Sequence, residues 1–154
     1  MRVATLGAVA LLLAACSSAP EPKKAAAPPP PPPVHDDTAM LLTLNRTDAR
    51  VVPNHLLGKD ALPGGTIGEY NDHGKKYRLF IIETDSAQDA GIMLLDLKAT
   101  LKEPAYIAWM GGYYGTDASG PVYVFAKDHY LAGVTGLDED LADPIARQLA
   151  QRLR

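Results

Sequence analysis

Apolar and polar positions set the outline of the chain before any other property does. Thr66 to Tyr70 and Lys76 to Glu83 read as paired strands, and Asn71-Asp72-His73-Gly74 between them carries turn chemistry. In the second run Tyr77, Leu79 and Ile81 face one way, and Arg78, Phe80 and Ile82 the other. Both faces become apolar toward Ile82, which predicts a central strand. Ser86 then stands as a helix N-cap with Asp89 three residues on. The helix should run to about Leu101 or Lys102 and stop before Pro104. Ala90, Met93, Leu94, Leu97 and Leu101 make its apolar face, and Ile92 and Leu95 widen that face enough to imply deep burial on a sheet.

The second half repeats the theme. Tyr106 to Met110 reads as a strand, and the stretch from Gly111 to Pro121 is rich in turn residues. Val122 to Ala126 and Tyr130 to Gly136 form a hairpin across Lys127-Asp128-His129. Asp143-Pro144 predicts a cap followed by proline at the first helical position. Ile145, Leu149 and Leu153 then lie four apart on one face of a closing helix. Val51 to Gly65 reads as loop, and the short apolar run Ala39 to Leu44 fits strand or helix equally. The predicted order is β-β-α-β-β-β-α. That order favours an α+β fold with an antiparallel sheet and both helices on one face.

The amino terminus follows other rules. Arg2 precedes an uncharged, largely apolar run from Val3 to Ala15. The run is shorter than the roughly 20 apolar residues needed to span a bilayer, and its length and flanks are those of a signal peptide. It ends in Leu13-Ala14-Ala15-Cys16, which resembles the lipobox of bacterial lipoproteins. The resemblance implies a leader of residues 1–15 cut before Cys16, with lipid on that cysteine. Ser17 in the next place, in a Gram-negative cell, implies the outer membrane, facing the periplasm. Residues 16–37 form a tether that includes six consecutive prolines, Pro28 to Pro33. Proline has no backbone donor and fixes φ, so these six favour polyproline II and span roughly 19 Å. A single globular domain should occupy residues 38–154.

Composition narrows the function. The formal net charge is -3, and the only adjacent basic pairs are Lys23-Lys24 and Lys75-Lys76. Phosphate neutralisation needs clustered Lys and Arg, so nucleic acid is not an expected partner. Cys16 is the only cysteine, so the domain has no disulfide to hold it and must be stable by burial.

Motifs for known chemistry are absent: no GxSxG, HExxH, CxxC or GxxxxGK[ST] occurs. Ser86 and Ser119 are the only serines after the tether, and each has a structural reading as a cap or a turn. His35, His55, His73 and His129 show no zinc spacing. His35-Asp36-Asp37 falls at the tether's end, where polar residues are expected to meet water. The acidic group Asp138, Glu139, Asp140 and Asp143 lacks the glycine and distal glutamate of a calcium loop. No catalytic residue, metal or cofactor is therefore assigned.

The most unusual local feature is Gly111-Gly112-Tyr113-Tyr114-Gly115. Its structural reading is a bulge or close crossing; its functional reading is a loop presenting tyrosine. On a strand, Tyr113 and Tyr114 must point to opposite faces. One should join the core beneath the helices and the other should stay on the open face near Trp109 or Tyr123. Trp109, Tyr113 and Tyr114 are the candidate binding residues. This glycine–tyrosine stretch, with Gly120-Pro121-Val122-Tyr123-Val124-Phe125 and Tyr130-Leu131-Ala132-Gly133-Val134, resembles an uncharacterised domain family of bacterial secreted and lipid-anchored proteins. The resemblance starts near Ala61 and implies no activity. Two functional readings remain. One is a non-catalytic binding or accessory module, tied to the membrane through Cys16 and acting on envelope proteins or cell-wall polymer. The other is an envelope hydrolase with an unrecognised acid pair.

Overall fold

A computed structural model describes residues 33–154. The expected signal peptide, Cys16 and nearly all of the tether lie outside the described residues. Seven antiparallel strands among the described residues form one sheet. Three precede the first helix: β1 (Arg46–Asn54), β2 (Pro63–Asp72) and β3 (Lys75–Glu83). Helix α1 (Ala87–Ala99) leads to β4 (Lys102–Ile107), β5 (Gly112–Asp117), β6 (Gly120–Lys127) and β7 (Tyr130–Thr135), and α2 (Glu139–Arg152) closes the chain. The spatial order is β1-β2-β3-β7-β6-β5-β4, so two meanders meet where β3 pairs with β7. The α+β class and the antiparallel sheet are as expected, but the element order is β-β-β-α-β-β-β-β-α.

The helices do not share a face. Alternate residues of β3, β6 and β7 divide into two cores. Leu79, Ile81, Tyr123, Phe125 and Val134 pack with Ala142, Ala146 and Leu149 of α2. Phe80, Ile82, Val122, Val124 and Leu131 pack with Leu94 and Leu97 of α1. One helix thus covers each face. The cause lies in the central strands, which are apolar on both sides: a sheet that buries one face only would leave the Phe80 side or the Leu79 side in water.

A single helix per face also explains why α1 buries less than its apolar width suggests. Ala90, Leu94 and Leu97 are buried, whereas Ile92 and Leu95 are 50% and 55% exposed. Among the described residues, nothing covers the outer side of the helix. Its start is as expected: Ser86 Oγ accepts from the Asp89 N–H at 3.1 Å and donates to Asp89 Oδ2 at 2.6 Å. Helix α2 begins five residues earlier than expected. Asp138 is its N-cap and Pro144 lies inside it. Glu139 and Asp140 occupy the first turn, where negative charge suits the exposed N–H groups. At its far end Lys127 Nζ donates to the carbonyls of Ala150 and Leu153 at 2.5 and 3.1 Å. No helix among the described residues is long and apolar enough to cross a membrane.

Candidate functional site

The turn from β4 to β5 and the first half of α2 build the most specific polar arrangement on the domain. Asp143 is its centre. One carboxylate oxygen, Oδ1, accepts from Trp109 Nε1 at 2.8 Å and from the Tyr123 hydroxyl at 2.7 Å. The other, Oδ2, accepts from Arg147 Nε at 2.8 Å. The Arg147 guanidinium also lies 5.3 Å from the centre of the Trp109 ring, within cation–π range. Desolvation pushes the Asp143 carboxyl up, but the hydrogen bonds from Trp109, Tyr123 and Arg147 outweigh it and hold the group below its ordinary value. Burial, with the Asp143 carboxylate next, pushes the Tyr123 hydroxyl the other way, so it stays a donor. The result is an indole 60% exposed to solvent yet fixed at its nitrogen and on its ring.

The three residues singled out from sequence do not form one patch. Tyr106 and Tyr113 are cross-strand partners, their rings 5.4 Å apart, and Lys98 Nζ of α1 lies 4.8 Å from the Tyr113 centroid. Tyr113 therefore belongs to the α1 face. Tyr114 belongs to the α2 face, where it is the cross-strand partner of Tyr123. Burial first, then the nearby Asp138 carboxylate, raises its hydroxyl pKa. The opposite directions of the two tyrosines are as expected. Both rings, however, are half-buried, because each face has its own helix and neither is open. Trp109 sits in the turn after β4 rather than on a strand, and it joins Tyr123 through Asp143.

Asp143 and Arg147 were not legible as site residues. Asp143 before a proline reads as a helix cap; with the helix starting at Glu139, that side chain is free to accept from three donors. The available signal was the i,i+4 acid–base pair of Asp143 and Arg147, one turn apart on a single helix face.

Asp143→Ala should leave the fully buried Tyr123 hydroxyl without its acceptor and release both Trp109 and Arg147. A loss of about 2 kcal/mol is expected in urea unfolding at neutral pH. The Asp143 carboxyl is lowered, so its contribution is present above the ordinary carboxylate range and is lost as pH falls through the lowered value. The difference from wild type should narrow in acid. Trp109 is the only tryptophan, so its emission reports the same loss directly as a red shift.

Two open clefts lie elsewhere. One of about 380 Å³ runs beside α1 and is lined by Leu62, Ile92, Met93 and Leu97, with Asp60, Asp89 and Asp96 around it. Asp89 is engaged as part of the helix cap, and Asp60 lies 3.5 Å from His55. The other, of about 490 Å³, lies over the β2–β3 end of the sheet and has Glu69, Lys76 and Arg78 among its lining residues. Among the described residues, no three His, Cys, Asp or Glu side chains are arranged to hold a metal ion. No protein-family model, curated protein or solved structure matches the chain.

Proposed function

We propose that the chain is a lipid-anchored protein of the bacterial cell envelope, held by acyl chains on Cys16, with a non-catalytic binding or accessory domain. In a Gram-negative cell, Ser17 favours the outer membrane, with the domain facing the periplasm. The ordered succession of positive start, apolar run, small residues and cysteine supports the anchor. The partners are envelope proteins or cell-wall polymer.

The observation that carries the binding reading is the Trp109 corner. A large ring exposed to water is ordinarily mobile, and a partner must then meet the entropy of fixing it. Trp109 is already fixed by Asp143 and Arg147, so that cost is met on folding. Tryptophan and arginine are also the residue types most often found to dominate binding surfaces. Chemical crosslinking in intact envelopes, followed by capture of the chain, tests this. Trp109→Ala should lose at least one crosslinked partner or polymer adduct while leaving the melting temperature within a few degrees, since most of the side chain faces solvent. Retention of every adduct by the variant contradicts the assignment of the corner.

A further inference from the structure

The uncovered side of α1 runs into the cleft of about 380 Å³ beside it. The floor of that cleft is apolar. Leu62 and Leu97 are buried, Met93 is half-buried, and Ile92 stands half in water at the lip. Leu95, three residues on and outside the cleft, is 55% exposed. Three residues apart on a helix, Ile92 and Leu95 share a side. Gly91, one turn before Leu95, has open space where a β-carbon would stand, so a second backbone can come close there. The other wall is the segment from Lys59 to Leu62. Lys59 pairs with Asp117, and the Leu62 N–H donates to the Lys59 carbonyl at 3.1 Å. The cleft is thus a groove between a helix and a pinned turn, already formed before anything enters it.

The rim of the groove carries one sign of charge. Asp89 serves the helix cap and accepts from the Ser86 hydroxyl, which leaves Asp60 and Asp96 as the rim charges. Asp60 lies 3.5 Å from His55 Nδ1, and its side chain is otherwise in water. Asp96 makes no ion pair among the described residues. The basic groups nearby are turned elsewhere. The Lys59 ammonium meets Asp117, and Lys98 of α1 lies over the Tyr113 ring. An apolar floor between uncompensated carboxylates complements an occupant that is apolar along its middle and basic at its edges. A second copy of this chain, paired symmetrically through the groove, would set Asp60 and Asp96 against their own counterparts.

We propose that this groove docks a basic amphipathic helix of a partner protein. Its apolar side chains would lie on Ile92, Met93 and Leu95, and its lysine or arginine residues would stand beside Asp60 and Asp96. A helix suits the groove better than an extended strand. The backbone groups of α1 are bonded within the helix, so this wall offers no sheet edge to extend, and the hold must come from side chains at helical spacing. The rim charges steer the approach and fix the register, while the apolar contacts resist dissociation. The groove lies on the α1 face of the sheet, whereas Trp109 is joined to α2, which covers the other face. The docking therefore rests neither on the Trp109 corner nor on the lipid anchor.

Photocrosslinking from the groove tests this in the full chain. Leu95 is replaced by p-benzoylphenylalanine, isolated envelopes are irradiated, and the crosslinked peptide is sequenced by tandem mass spectrometry. The adduct should fall on a protein segment with apolar residues three and four apart, flanked by lysine or arginine. Its yield should drop as sodium chloride is raised from about 0.05 M to about 0.5 M. Asp60→Asn with Asp96→Asn should lower the yield about fivefold, and Ile92→Gln should lower it by at least as much. Asp60, Ile92 and Asp96 are exposed, so these variants should melt within a few degrees of wild type. Asp85→Asn, an exposed acid outside the groove, should leave the yield unchanged, as should Trp109→Ala. Absence of an adduct, or an adduct on lipid, glycan or a second copy of this chain, overturns the proposal. So does a yield indifferent to the loss of Asp60 and Asp96.

Discussion

A Cys16→Ala chain should incorporate no fatty acid. Cys16 is the only thiol in the chain, so no second position can take the lipid. The effect should be all-or-none, because lipid attachment and cleavage of the leader depend on the same residue in the class that the lipobox resembles. Several acyl chains hold a protein far longer than one, since each buried methylene contributes about 0.8 kcal/mol. Without Cys16 the chain should carry none of these acyl chains. Growth with a fatty acid analogue, followed by fractionation, checks this: wild type should be labelled and sediment with membranes, and the variant should be unlabelled. A labelled variant would mean that the lipid sits elsewhere.

Gly133→Ala should have the largest effect on the fold. Gly133 of β7 stands opposite Phe80 of β3 and Val124 of β6, at the junction of the two meanders. A β-carbon there would overlap the Tyr123 carbonyl oxygen and come within 2.7 Å of the Phe80 ring. Phe80 is fully buried and the Tyr123 oxygen is backbone, so neither has space to yield. The cost should reach about 3 kcal/mol or more, a large part of a small domain's stability. Thermal unfolding should show a fall of at least about 10 °C. Gly91→Ala is the control. It lies within α1 with open space at its β-carbon, and alanine there should be neutral or stabilising by up to about 1 kcal/mol. Equal melting of the Gly133 variant and wild type would contradict the packing at the junction.

The parts of the fold that the sequence made legible are those where local and tertiary preferences agree. Ser86 caps α1 because its hydroxyl, the Asp89 amide and the apolar face all point to one start. The β2–β3 turn forms at His73 and Gly74, both at positive φ, with Asn71 Oδ1 accepting from the Gly74 N–H at 2.9 Å. Strand β1 was hidden because it is an edge. It mixes Arg46, Asp48 and Arg50 with Val51 and Val52, and it tolerates Pro53 where only one side of the strand must pair. Strand β4 carries Pro104 for the same reason.

Strand β5 was hidden by its glycines. Gly112 is pressed against Val124 and Phe125, and Gly115 against Leu101 and Lys102, so the residues that weaken the strand signal are those the packing requires. Which face each helix covers was recoverable in part. The apolar character of both sides of β3 pointed to two cores, but assigning a helix to each needed the pairing of β3 with β7. Of the candidate site, Trp109 was singled out from the sequence, and Tyr123 was named only as a possible neighbour of the glycine–tyrosine stretch. The grip of Asp143 on Trp109 was not legible, because it spans 34 residues and depends on where α2 begins.

The anchor is the claim on which the cellular reading rests, and the mass of the mature amino-terminal peptide tests it most directly. The chain is purified from membranes in detergent, digested and analysed by tandem mass spectrometry. The first residue should be Cys16, carrying a diacylglyceryl group on sulfur and an acyl chain on nitrogen. A first residue other than Cys16, or an unmodified Cys16 thiol, would contradict it.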